Sequence, residues 1–292
     1  MKNRNNVPLV RLFGTQIRAI CVIVLAAVIV ISMAACPTDG GGMVRIPGGT
    51  FTMGSSDSLD YGASPPHSVT VSGFYMGKYE VTQEQYEAVT GTNPSHFTTA
   101  VSGESGTPGK LPVEQVTWYD AVEFCNKLSE KEGLQQVYTI SGRTPATGYP
   151  ITSATVTADW SKNGYRLPTE AQWEYACRAG TTTAYNTGNF IDDYTGWYAD
   201  NSGIKTHQAG LKPANAWGLY DMHGNVWEWC WDWYGSYSSG SETDPTGAIS
   251  GDCRVLRGGG GAYYQRLLRS VYRIDYYPYN RGSFIGFRLV RP

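Results

Sequence analysis

The stretch R-L-P-T-E-A-Q-W-E, residues 166–174, lies in the middle of the chain and predicts the start of a helix. Thr169 and Gln172 have the spacing of a capping box, in which each side chain hydrogen-bonds the backbone N–H of the other residue. We therefore expect a short helix from Thr169 to Cys177. Similar signals predict a helix from Thr82 through Val89, and another that begins at Thr117 and ends before Gly133.

Alternating β-forming residues on both sides of these helices predict short strands. Met43 to Met53, with a turn at residues 47–49, and Val69 to Tyr79 have this pattern. Residues 98–110 and 136–160 are rich in Gly, Ser and Thr, and we expect them to be long surface insertions. Brief aromatic strands follow to the end of the chain. The fold class is therefore α+β, in one loop-rich domain of roughly 250 residues.

Composition excludes several classes of protein. The chain has 292 residues, of which 41% are hydrophobic and 35 are glycine, so it has enough apolar material for a core and is not disordered. Glycine shows no repeat of the collagen type. The net charge of −2 argues against a dedicated nucleic-acid-binding protein.

The first 42 residues predict export and anchoring. Basic residues up to Arg18 precede an uncharged run from Ala19 to Ala35, and Cys36 follows small residues, as in a bacterial lipoprotein signal. We interpret residues 1–35 as a signal peptide, 36–42 as a tether lipidated at Cys36, and 43–292 as the domain. An uncleaved anchor helix is the alternative, because the run is at the short end of membrane-spanning length. Both interpretations place the protein outside the cytoplasm on a membrane, and we expect the outer membrane or cell surface.

The cysteines do not form a recognisable catalytic or metal-binding motif. Cys125 and Cys177 lie within helical patterns and are expected to be small core residues. Cys230 and Cys253 could form a disulfide in an exported protein, and the sequence does not decide whether they do. The sequence contains no C-x-x-C, H-E-x-x-H, G-x-S-x-G or P-loop motif, which removes the common hydrolase and zinc chemistries.

Six blocks from residue 46 to residue 288 resemble the formylglycine-generating enzyme, or sulfatase-modifying factor, family. They occur in the family's order, at residues 46–54, 79–82, 112–118, 166–174, 218–229 and 286–288. The resemblance implies a C-type-lectin-like fold. The family's copper-binding cysteines correspond to Tyr263 and Leu268, neither of which is a copper ligand. The related iron-dependent enzymes use an additional helical domain that this sequence lacks. We therefore expect no enzyme activity and no required cofactor, with an oxidase relative or its decayed form as the alternative.

The resemblance also implies a structural calcium site in the segment from Asp221 to Glu228. The carboxylates of these two residues and the carbonyls of Gly224 and Val226 would form an oxygen cage suited to calcium. The alternative is that both acids only cap or pair within a tight turn.

The segment of about residues 254–288 alternates family-like residues with residues of no consistent character. This interleaving resembles treponemal variable lipoproteins whose genes are diversified by retroelements that mutate adenines. The predicted diversified, ligand-binding positions are all reachable from an asparagine codon by adenine changes; they are Ala262, Tyr263, Tyr264, Arg266, Leu267, Tyr272, Ile274, Asp275, Tyr276, Tyr277, Tyr279, Asn280, Gly282, Ser283 and Phe284. The surrounding framework includes Leu268, Arg269, Ser270, Arg273, Pro278, Arg281 and Ile285.

The tyrosines of this segment show no helical or strand period, so they are poor core candidates. Tyrosine with Ser, Gly and Asn is typical of adaptable binding surfaces, and we expect a protein or glycan ligand bound by a monomer. A groove left over from a lost activity is the alternative. From Arg254 to Arg291 the chain has eight arginines and one acid, Asp275, which gives a local charge of +7. Most are family framework positions, so we expect them to join loops and do not expect nucleic-acid binding.

Overall fold

The computed structural model describes residues 42–60, 62–99 and 110–292, within a compact unit that runs from Gly41 to Pro292. The predicted signal peptide, most of the tether and Cys36 lie outside these residues. In the described part of the chain, no helix has the length and apolar character needed to cross a membrane.

Three helices form where the capping signals predict them. They are α1 (Gln83–Thr90), α2 (Trp118–Lys131) and α3 (Glu170–Arg178). Each has a threonine as its N-cap and a complete capping box, formed with Gln85, Asp120 and Gln172 respectively. The helix of residues 169–177 is thus confirmed to within one residue at each end.

In residues 42–60, 62–99 and 110–292, twelve strands are distributed over four small sheets. They are β1 (Met43–Ile46), β2 (Gly49–Met53), β3 (His67–Val71), β4 (Phe74–Gly77), β5 (Tyr138–Thr144), β6 (Ser153–Ala158), β7 (Trp227–Trp233), β8 (Glu242–Thr243), β9 (Arg254–Arg257), β10 (Arg273–Tyr276), β11 (Ile285–Gly286) and β12 (Val290–Arg291). The strand orders are β1-β4-β12, β10-β9-β7-β11, β2-β3-β8 and β5-β6. Because β1 and β12 both pair with β4, the first and last strands of the domain lie in one sheet.

The segment of residues 136–160, expected to be a surface insertion, contains a β-hairpin that the sequence analysis did not predict. Tyr138–Thr144 and Ser153–Ala158 pair as an antiparallel hairpin with an irregularity between Ser141 and Thr144. The side chain of Asn126 on α2 hydrogen-bonds the backbone N–H and carbonyl of Tyr138, which fixes the hairpin to the helix. The polar composition reflects a strand pair that is largely solvent-exposed.

Two clusters of buried side chains lie on the two faces of the β10-β9-β7-β11 sheet. Trp229 and Leu256 belong to the cluster that packs with α2, whereas Cys230 and Val255 face the cluster that packs with α3. Cys125 and Cys177 are buried, as expected for core residues. Cys230 and Cys253 are both free thiols, so they do not form the disulfide that the sequence left open.

Candidate functional site

All fifteen predicted diversified positions reach the surface. Each of them is either exposed or half-buried, and none is buried. Most of the framework residues between them behave differently. Leu268, Ser270, Arg273, Pro278 and Ile285 are buried, whereas Arg269 is half-buried and Arg281 is exposed. The division that the sequence suggested therefore follows burial for all of the named framework residues except these two arginines.

Strand β10 distributes one framework residue and three predicted diversified positions over its two faces. Side chains of a strand alternate between its faces. Ile274 and Tyr276 lie over the cluster that contains Trp229, whereas Arg273 points to the opposite face. Asp275 shares the face of Arg273 and interacts with Cys253. The structure therefore does not bring Asp275 together with its neighbours Ile274 and Tyr276.

Four of the predicted positions are aromatic residues that lie over or beside the tryptophans of β7. The ring of Trp227 lies 5.5 Å from that of Tyr263 and 6.4 Å from that of Tyr272. Trp229 lies 6.0 Å from Tyr276, and Tyr263 lies 6.4 Å from Phe284. We call Tyr263, Tyr272, Tyr276 and Phe284 the aromatic patch. Tyr263, Tyr272 and Tyr276 pack against the core although their sequence has no regular period.

Tyr277 and Tyr279 form a second, more exposed aromatic feature. Their rings stack at 5.3 Å with an angle of 15° between the planes, and they are 46% and 49% exposed. Two backbone hydrogen bonds fix the loop that contains these tyrosines. The N–H of Trp118 donates to the carbonyl of Pro278, and the N–H of Gln115 donates to the carbonyl of Gly282. The loop thus presents its tyrosines from a fixed main chain.

The remaining diversified positions surround these aromatic residues. In the 3-10 helix Gln265–Leu268, Arg266 is exposed, Leu267 is half-buried and Leu268 is buried. Tyr264, which precedes it, is 76% exposed. The other positions are half-buried; they are Ala262, Asn280, Gly282 and Ser283.

Phe97 adjoins the site and was missed by sequence reasoning. Its ring lies 5.2 Å from that of Phe284. The backbone N–H of Phe97 donates to the buried carboxylate of Glu114 over 2.7 Å, which holds this loop in place. The residue lies in a polar stretch without periodicity, so no sequence signal could have placed it beside residue 284.

Buried ion pairs fix the framework beneath the diversified positions. Arg273 binds both carboxylate oxygens of Glu170, at 2.7 and 2.6 Å, and donates to the carbonyls of Gly62 and Gly235. Arg257 pairs with the same Glu170 and with Glu174. Burial would raise the pKa of Glu170, but the two guanidinium groups lower it below its usual range.

Most of the other arginines of this segment also form ion pairs, hydrogen bonds or cation–π contacts within the protein. Arg257 also donates to the carbonyls of Ser270 and Tyr272, and Arg269 pairs with Asp57. Arg254 lies over the rings of Trp118 and Trp233, and Arg288 pairs with Glu228. These contacts agree with a role in joining loops.

The positions of the family's copper ligands contain no thiol. Leu268 is buried and Tyr263 belongs to the aromatic patch. Within the described ranges, no three His, Cys, Asp or Glu side chains group closely enough to hold a metal ion. Sγ of the nearby Cys177 lies 3.7 Å from Nε2 of His223, the arrangement of a thiol beside a base. Burial, however, raises the pKa of this thiol to about 12. Burial also lowers the pKa of His223 to about 4, so neither group is activated.

The predicted calcium residues fit a cation in part. Oδ1 of Asp221 is buried without a hydrogen-bond partner, and burial raises the pKa of this acid to about 6. Both oxygens of Glu228, in contrast, bind Arg288, and one also accepts from Trp173. Gly224 and Val226 are buried in the same turn. The calcium site stays a prediction, and we assign no step to the ion.

The three capped helices, the short strands and the long ordered loops together define a C-type-lectin-like domain of the formylglycine-generating-enzyme type. Residues 31–292 match the model of the sulfatase-modifying factor enzyme 1-like domain, and the chain belongs to this family.

Three relatives illustrate the range of the family. The chain is 36% identical to the chaperone protein LppX of Paenibacillus barcinonensis, over 90% of this chain and 95% of the relative. It is 32% identical to the formylglycine-generating enzyme of Mus musculus, over 84% of this chain and 74% of the relative. It is also similar to the solved structure of Treponema denticola variable protein 1, with a TM-score of 0.79 and 40% identity, over 86% of this chain and 95% of that one.

Proposed function

We propose that this protein is a non-catalytic, lipid-anchored receptor that displays a diversified binding face on a C-type-lectin-like scaffold. The observation that carries the proposal is the burial pattern. All fifteen candidate positions reach solvent, while five of the seven named framework residues among them are buried; Arg269 and Arg281 are the exceptions. Substitutions at the candidate positions therefore change the surface and leave the fold intact.

The chemistry of the face suits a protein or glycan ligand. Tyrosine supplies a large contact area with few rotatable bonds, and the small polar residues around it adapt to the partner. The stacked pair Tyr277 and Tyr279 and the exposed Tyr264 are the most accessible of these aromatic residues. We expect them to contribute most of the binding energy, since tyrosines that become buried beneath a partner are typical interface hot spots.

One similar structure supports diversification, whereas export and anchoring rest on the sequence of the first 42 residues. The chain is 40% identical to Treponema denticola variable protein 1 over nearly the full length of that protein. A variable segment on the same scaffold is therefore the simplest explanation of the interleaved residues 254–288. We propose export, a lipid anchor at residues 36–42 and display of a monomer at the outer membrane or cell surface.

Sequencing of the 3′ end of the gene across many isolates tests diversification. We expect substitutions to be confined to the fifteen positions, with Arg269, Arg273, Pro278 and Arg281 unchanged. Uniform sequences, or changes spread evenly along the gene, would refute diversification and leave a receptor of fixed specificity or a decayed enzyme.

A binding experiment tests the location of the contact. Purified protein is screened on protein and glycan arrays, and the hits are repeated with Tyr277→Ser and Tyr279→Ser combined. The control is Phe190→Ser, which removes another aromatic residue that is 88% exposed but lies outside the diversified segment. Loss of binding in the double variant alone supports the proposal, whereas equal binding by all three proteins contradicts it.

The second candidate function is an oxidase of the formylglycine-generating type, favoured by the 32% identity to the mouse enzyme. It can be tested by loading the protein with Cu(I) and offering a cysteine-containing sulfatase peptide in air. Since Tyr263 and Leu268 cannot supply thiolates, we expect no aldehyde product by mass spectrometry. Turnover above that of free copper would contradict the receptor proposal.

A further inference from the structure

A cavity of about 450 Å³ lies on the Arg273 side of β10, away from the aromatic patch. The start of α3, the end of β7, strand β3 and the loop of residues 235–248 enclose it. Its charged or titratable lining residues include His67, Glu170, Asp232, Glu242 and Arg273. None of them belongs to the fifteen predicted diversified positions.

Asp232 places an unused acceptor at this cavity. The residue is only 3% exposed, and its Oδ2 accepts the backbone N–H of Glu170 over 2.8 Å. Oδ1 has no hydrogen-bond partner among the described residues. A side chain at Gly247 would come within 2.9 Å of this oxygen, and the φ of Gly247 is +82°, so only glycine lets the loop pass so close. Burial, together with the charge of Glu170, raises the pKa of Asp232 to about 7.

His67 adds a second unused acceptor. Its Nδ1 lies 3.2 Å from the carbonyl of Pro65, and because a carbonyl only accepts, Nδ1 carries the proton. Nε2 of this 94%-buried histidine is therefore an acceptor, and no described residue donates to it. Glu170, in contrast, is saturated by Arg273, Arg257 and Tyr237.

We propose that this cavity is a second ligand site, which binds a small organic molecule carrying a primary ammonium group. The ammonium donates to Asp232 Oδ1, and a further N–H or O–H of the ligand donates to His67 Nε2. The rings of Tyr237 and Trp233 line the same cavity, where the guanidinium groups of Arg273 and Arg254 already lie over them at 4.3 and 3.3 Å, so they supply apolar contact area to the ligand. Its volume is that of a small-molecule site. A metal ion is a poor fit, because no third side-chain ligand stands close to these two in the described chain.

Cyclohexylamine and the neutral cyclohexanol are suitable probes, with binding measured by ligand-detected NMR and calorimetry. We expect the amine to bind at least tenfold more tightly than the alcohol. Asp232→Asn keeps the acceptor for the N–H of Glu170 but removes the charge, and it should weaken amine binding at least tenfold. Asp275→Asn, which removes an exposed acid of the diversified segment, should leave amine binding unchanged.

Ala248→Phe keeps both acceptors and fills the cavity from the exposed loop. It should abolish binding of the amine, which keeps the proposal testable if Asp232→Asn fails to fold. Equal affinity for amine and alcohol, or full amine binding by a folded Asp232→Asn or Ala248→Phe variant, would overturn the proposal. Because the residues involved are not diversified, none of these results bears on the receptor function.

Discussion

Replacing Arg273 with methionine should destabilise the fold far more than replacing any exposed diversified residue. Arg273 is 3% exposed and makes four hydrogen bonds, two to Glu170 and one each to the carbonyls of Gly62 and Gly235. Methionine retains the apolar volume but leaves Glu170 with Arg257 as its only cation. Removing one partner of a buried ion pair costs about 3–5 kcal/mol, because the other charge stays buried.

The matched comparison is Tyr277→Ser, four residues further along the chain. Tyr277 is 46% exposed, and its ring stacks on that of Tyr279, which is also exposed. Its replacement should therefore lower the free energy of unfolding by less than about 0.5 kcal/mol. Urea unfolding followed by tryptophan fluorescence gives both free energies of unfolding. A cost below about 1 kcal/mol for Arg273→Met, or above about 2 kcal/mol for Tyr277→Ser, would refute the division between framework and binding face.

Three further predictions follow from buried or half-buried groups. Tyr276→Ala should cost about 1–2 kcal/mol in urea unfolding, since its ring packs on Trp229; a cost equal to that of Tyr277→Ser would mean that this contact is not formed in solution. Burial raises the pKa of Glu114 from 4.5 to about 7, so the folded state holds this proton more tightly than the unfolded state. The free energy of unfolding should therefore fall by about 3 kcal/mol as the pH rises from 4.5 to 7. Glu114→Gln should remove this loss, and an unchanged pH profile in that variant would contradict the assignment. Calcium should raise the melting temperature by roughly 5 °C and EDTA should reverse it, with no response in Asp221→Asn; a shift of equal size in that variant would exclude Asp221 as a ligand.

The sequence determined the helices and the separation of framework from surface. Capping boxes act within four residues, so Thr82, Thr117 and Thr169 located their helices without knowledge of the fold. The interleaving of residues 254–288 predicts the diversified set, because that alternation can be read directly from the chain. Family blocks supplied the fold class.

Only the tertiary structure decided which of these residues meet. The hairpin of residues 138–158 depends on pairing across a polar loop, and the contact of Phe97 with Phe284 joins residues far apart in sequence. Asp275 turned away from Ile274 because β10 alternates its side chains, a pattern too short to read in a four-residue strand. The cavity at Asp232 and His67 likewise arises from loops whose approach no local pattern encodes. Local hydrogen bonds are fixed by neighbouring residues, whereas cavities and aromatic patches are fixed by distant segments that the core brings together.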